Sequence, residues 1–265
     1  MLGSLSDQGV EVMRVFRRSV SIGRSVALLA AVTLLLSACY KPMALHMQQT
    51  APDSRPWWCH SELMADEPGA QWYMDRGIQK GDLSWADCIA VSGYFDDAMT
   101  FALQWPTRGQ AEAAGWSASA PYAEGMGTHH ALGNPLQGAF NPSRPNFLQY
   151  DGNGPDAKLV GVSWFVNNGP DGPPEGFPGN NDWWHHHEYL CMSGQTGLII
   201  FDGKCPPGVD GNTVFLGNYW LLHAWVIPGF PHVHDVFVGH HPCLLPTGPA
   251  APDDECWTTD MHMPA

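Results

Sequence analysis

Basic side chains are scarce in this chain. Twelve Lys and Arg face 26 Asp and Glu over 265 residues, a formal charge of −14 with histidine neutral. Such a surface repels phosphate backbones and anionic head groups, which excludes nucleic acid as a partner and electrostatic adhesion to a bilayer. Apolar runs of membrane-spanning length are also missing: Val26 through Leu36 covers only 11 residues. No two cysteines stand in a Cys-x-x-Cys pair, which argues against a zinc ribbon or a thiol–disulfide exchange motif. Gly-x-Ser-x-Gly, His-Glu-x-x-His and a phosphate-cradling glycine loop before a helix are absent as well. The commonest signatures of hydrolases, zinc proteases and nucleotide enzymes are therefore not available here.

What the chain does have begins at its N-terminus. Arg14, Arg17, Arg18 and Arg24 form a basic leader, Val26–Leu36 an apolar core, and Leu36-Ser37-Ala38-Cys39 closes the segment. Leucine, two small residues and cysteine resemble the lipobox of bacterial lipoproteins. The resemblance implies a signal peptide over 1–38, diacylation of Cys39, and export with a lipid anchor as the membrane link. It further implies the outer membrane in a Gram-negative envelope, since Tyr40 rather than Asp follows Cys39. An ordinary signal peptide cleaved after Ala38, or a buried helix, would be the alternatives. Met13 is a second plausible start, because it leaves a compact leader. From Cys39 onward eight Lys and Arg face 24 Asp and Glu, so the exported part is more acidic still.

Lipidation also alters the cysteine count. Seven cysteines are odd for an exported chain; removing Cys39 leaves Cys59, Cys88, Cys191, Cys205, Cys243 and Cys256. In an oxidising compartment six cysteines read as three disulfides, with 15 possible connectivities. Nearest-neighbour pairing is the expectation: Cys59–Cys88, Cys191–Cys205 and Cys243–Cys256.

Organisation follows from periodicity. Residues 39–55 hold few large apolar groups and read as a tether before a single domain over 56–265. Leu83, Ala86, Ile89, Ala90, Phe95, Ala98, Met99 and Ala102 recur at three- and four-residue steps, and Pro106 ends the run. A short helix from Thr107 through Ala114 should stop at Gly115. This predicts a helical portion over 56–120. The β-rich portion, 125–245, offers strands at Asn146–Tyr150, Lys158–Val166, Trp183–Cys191, Leu198–Phe201, Thr213–Leu216, Trp220–Ile227 and Asp235–Val238, with a hairpin turn at 151–156. The fold class is α+β: a helical N-terminal portion followed by an antiparallel β-sandwich or small barrel, stapled by disulfides.

Thirteen histidines in so acidic a chain are the main chemical feature. They group as His129-His130, His185-His186-His187, His223, His232 and His234, and His240-His241. On a strand, alternation puts Trp183, His185, His187 and Tyr189 on one face, so two imidazoles could reach one ion. A third from His129, His130, His223 or His241 would complete a three-nitrogen site for a divalent transition metal, zinc or copper first and iron next. Each could equally be a core histidine bonded to a carbonyl. Met43, His46 and Met47, and Met261-His262-Met263, add a weaker copper-like pattern.

Gly179, five residues, then His185-x-His187 is similar to the first half of the cupin metal motif. The glutamate that cupins carry four or five positions on is replaced by Cys191 and Met192. The resemblance implies a metal-bearing β-barrel in general and no more. The segments around Ala111–Gly115, Gly125–His130, Arg144-Pro145-Asn146, Leu159–Val162 and Trp184-His185 also resemble an uncharacterised family of exported bacterial proteins, which brings no activity with it. Three functions stay open: transition-metal binding at the envelope, a metal-dependent enzyme with an open position, and a structural or glycan-binding lipoprotein without metal.

Overall fold

The structure, a computed structural model, describes Met43, residues 55–61, 70–134, 136, 139–231 and 235–251, and Cys256. The chain divides into residues 1–38 and 39–265. The leader and lipobox lie outside the described residues, as do His46, Met47, His232, His234 and Met261-His262-Met263.

Three helices come first: α1 (Ala70–Met74), α2 (Trp85–Ala102) and α3 (Arg108–Ala113). Ser84 caps α2, its hydroxyl accepting from Asp87 N–H at 3.1 Å. Gln110 reaches back across the first turn of α3 so that its Oε1 accepts from Thr107 N–H at 3.1 Å. The helix ends at Gly115, which takes a φ of +98° that a Cβ would resist.

The sheet structure is antiparallel throughout. β1 (Trp116–Ala123), β2 (Gly127–Leu132), β3 (Phe147–Tyr150), β4 (Leu159–Asn167) and β8 (Tyr219–Ala224) form a five-stranded sheet in the order β1-β2-β3-β4-β8. β5 (Tyr189–Ser193), β6 (Ile199–Asp202) and β7 (Gly211–Phe215) form a second, ordered β6-β5-β7. Short β9 (Leu244–Leu245) and β10 (Gly248–Pro249) pair separately. The α+β class and the 151–156 hairpin are as expected; Asp151 Oδ1 accepts from Lys158 N–H at 2.7 Å across that turn.

Four readings need correction. Trp116–Ala120, assigned above to the helical portion, begins β1, because Gly115 turns the chain before a run that pairs with Leu132–His129. Only His185 and Tyr189 onward are strand-like within Trp183–Cys191; His185 makes a single bridge to Leu221. Asp235–Val238 is a turn, since Asp235 Oδ1 accepts from Phe237 N–H at 3.0 Å and folds the backbone on itself. Met43, placed in the tether, is buried and its N–H donates to Asp96 Oδ1 at 2.6 Å.

The two faces of the main sheet differ in chemistry. Leu148, Tyr150, Val162, Trp164, Trp220 and Leu222 point to one side and pack on Val91, Phe95 and Ala98 of α2 in one apolar cluster. Alternation sends His129, Gln149, Gly161, Ser163 and His223 to the other side. All three disulfides join nearest neighbours: Cys59–Cys88, Cys191–Cys205 and Cys243–Cys256. Such bonds are consistent with an exported protein. Among the described residues no helix is long and apolar enough to cross a membrane.

Candidate functional site

The polar face of the main sheet is the candidate site. Register places His129 opposite Gln149, Gln149 opposite Gly161, and Ser163 opposite His223. β2 and β8 are three strand spacings apart, roughly 14 Å in a flat sheet. Their histidines meet only by leaning inward over β3 and β4, and Gly161 and Ser163 leave the room. His129 Nε2 lies 3.2 Å from His223 Nε2. His185, delivered by its bridge to the far edge of β8, places its ring centre 5.1 Å from that of His223. His187 follows at 5.5 Å from His185, and its Nδ1 pairs with Asp202 Oδ2 of β6 at 3.0 Å.

Hydrogen bonds determine which nitrogens are bare. His223 Nδ1 sits 2.9 Å from the Gly239 carbonyl, which can only accept, so Nδ1 carries the proton. Burial, then the neighbouring His185 and His129, hold His223 well below its ordinary pKa, so the ring is neutral and Nε2 is a lone pair. Gln149 Nε2 approaches the Met126 carbonyl at 3.4 Å and His129 Nε2 at 3.3 Å, so His129 Nε2 is also an acceptor. Burial lowers His129 to about 4 and His185 to about 3, with nearby imidazoles adding to both. Two neutral rings therefore present lone pairs to each other at contact distance. Gln149 Oε1, Ser163 Oγ and His185 Nδ1 are buried beside them without a hydrogen-bond partner.

The remaining histidines sort by face and by partner. His240, exposed on the segment that covers this face, is within electrostatic reach of His187, His185 and His223. His186 turns away and packs on Trp220 at 4.6 Å. His130 lies on the opposite face, where its Nε2 accepts from Arg108 Nε at 3.1 Å and its ring stands edge-on to Tyr150. His241 uses both nitrogens structurally: Nε2–H donates to the Pro231 carbonyl at 2.7 Å and Nδ1 accepts from Cys243 N–H at 3.1 Å. Of the six candidate ligands, His129, His185, His187 and His223 are thus brought together, while His130 and His241 are placed elsewhere. Among the described residues no three His, Cys, Asp or Glu side chains already stand in ion-holding geometry. Gln149, Ser163 and Asp202 were not named from sequence; no motif singles out a polar residue on one face of a buried strand.

A second feature lies on the helical side. A groove of about 730 Å³ is lined by Trp72, Tyr94, Phe140, Lys80 and Asp182 together with a Pro-rich segment. Lys80 Nζ is buried there, donating to the Asp182 carbonyl, 3.7 Å from Asp182 Oδ1 and 3.9 Å from the Tyr73 ring centre.

No family profile, no curated protein and no solved structure matches the chain.

Proposed function

We propose that this chain is an exported lipoprotein, tethered through Cys39, that binds a divalent transition-metal ion between His129 and His223. The observation that carries the reading is the pair of unprotonated Nε2 atoms 3.2 Å apart, where an ion would replace the Gln149 N–H that faces His129. Two nitrogens bonded to one tetrahedral ion at 2.0–2.1 Å lie about 3.3 Å apart, and a cation between them relieves the facing lone pairs. The His223 Nδ1–H bond to a backbone carbonyl is the outer-shell support that metal-bound imidazoles use. Burial keeps the rings deprotonated, so no proton competes for the ion. His185 completes the set by a ring rotation that also gives its Nδ1 a partner. The disulfides withdraw the six domain cysteines as ligands, which leaves imidazole and an ion such as zinc, copper or iron.

Elemental analysis of the full chain tests this. One ion per chain is expected, lost in His223→Ala and in His129→Ala; no uptake of zinc, copper or iron would refute the site. Cys39→Ala should release the protein from membranes and remove its acyl mass.

The groove beside Lys80 favours a second reading, a glycan-binding lipoprotein, because half-buried rings interleaved with polar side chains suit the faces and hydroxyls of sugars. Titration with neutral oligosaccharides, with Trp72→Ala as control, separates the two readings.

A further inference from the structure

Resting on the metal reading, we infer that the bound ion keeps one position for a small oxyanion that carries a proton, hydroxide or hydrogencarbonate, seated over Ser163 and Gln149. Charge demands an anion. His129, His185 and His223 are neutral ligands, and among the described residues no acidic side chain is hydrogen-bonded to them. Asp202, the nearest carboxylate by its contacts, is paired with His187 and mostly in solvent. A divalent ion held only by neutral groups in a buried site is poorly compensated, and a monoanion at an open position offsets half of its charge.

The floor specifies which anion. Ser163 Oγ and Gln149 Oε1 are fully buried and lack partners, although both residues lie in strands paired on both sides. A hydroxyl can donate to an anion; the amide oxygen, held outward because its own NH₂ faces the Met126 carbonyl, can only accept. One ligand that accepts from Ser163 and donates to Gln149 satisfies both. Hydroxide and hydrogencarbonate do this; an anion without a proton satisfies Ser163 alone. The half-buried His187 and exposed His240 form the rim through which it would pass.

The full chain loaded with cobalt(II) reads this directly, with cobalt content measured separately. Hydrogencarbonate and azide should each shift the visible cobalt bands saturably at one per ion, hydrogencarbonate at lower concentration. Ser163→Ala should keep its cobalt and weaken both anions about tenfold, the loss of one hydrogen bond to a charged group. Gln149→Leu should lose the preference for hydrogencarbonate while azide binds as before. Cobalt bound with no anion response would overturn this inference and leave the metal reading standing; no cobalt uptake would overturn both. Equal response of the Ser163→Ala protein would remove the floor from the account.

Discussion

Gly161→Ala is the sharpest test of how the floor is built. A Cβ at Gly161 would stand 2.6 Å from Gln149 Oε1 and 2.8 Å from both Cε3 and Cζ3 of Trp225. Carbon contacts settle near about 3.5–4.0 Å, so the neighbours must retreat by roughly 1 Å. Trp225 has nowhere to go: it is buried, and its Nε1–H donates to the Val238 carbonyl at 2.7 Å. Gln149 must therefore move, and in moving it withdraws its NH₂ from His129. Overpacking of this kind costs about 1–3 kcal/mol. For a domain of this size each kcal/mol lowers the melting temperature by roughly 2–4 °C, so a loss of about 2–12 °C is expected. Circular-dichroism melts of the parent and variant proteins would show it. Adding Gln149→Ala removes the 2.6 Å contact but not those to Trp225, so part of the lost stability should return. A single variant that melts with the parent would refute this account of the floor.

Three further outcomes are expected. Asp235 is buried, bonded to Ser61 Oγ at 2.5 Å and Trp183 Nε1 at 2.8 Å with Lys80 nearby, and burial raises its carboxyl from 3.8 to about 6. Its contribution is present below the unfolded value and is lost as pH rises through about 6; urea melts should show the parent losing roughly 3 kcal/mol relative to Asp235→Asn across that window, and a pH-independent difference would be contrary. His241→Ala should cost roughly 2 kcal/mol from its two buried bonds yet leave metal content unchanged, the reverse of His223→Ala, as calorimetry paired with elemental analysis would show. Replacing Cys191 and Cys205 by serine opens a link between residues 14 apart and should cost roughly 3 kcal/mol in chemical denaturation, a loss confined to less than half of that being contrary.

Much of the fold was legible because local rules govern it. The three- and four-residue spacing from Leu83 to Ala102 marks a helix whatever it packs on, and α2 occupies it, although Ala86, Ile89 and Ala90 are exposed and Cys88, Val91 and Ser92 take the buried face. The β3–β4 hairpin follows from an Asp-Gly-Asn-Gly turn between apolar runs. Cys59–Cys88 closes because a short loop brings its ends together often. Other parts obey no local rule. β1 has the composition of a loop, and its pairing with β2 supplies the reason it is extended. Trp183–Glu188 has the texture of a strand, yet Trp183 and Trp184 are drawn off it to Asp235 and Asp182 by their indole N–H groups.

The sequence by itself determined the kinds of chemistry present: an acidic, histidine-rich chain with six cysteines beyond Cys39 and a lipobox-like leader. It also placed His185 near His187, since they stand two residues apart. Which histidines join them was decided by the tertiary structure alone. His129 and His130 are neighbours in sequence, but the pleat sends one to the buried polar face and the other to Arg108 and Tyr150. His240 and His241 part in the same way, one to the rim and one to the Pro231 carbonyl. The meeting of His129 with His223 depends on two small residues on a third strand, Gly161 and Ser163. Such a contact, between residues 94 positions apart, exists only once the sheet has folded.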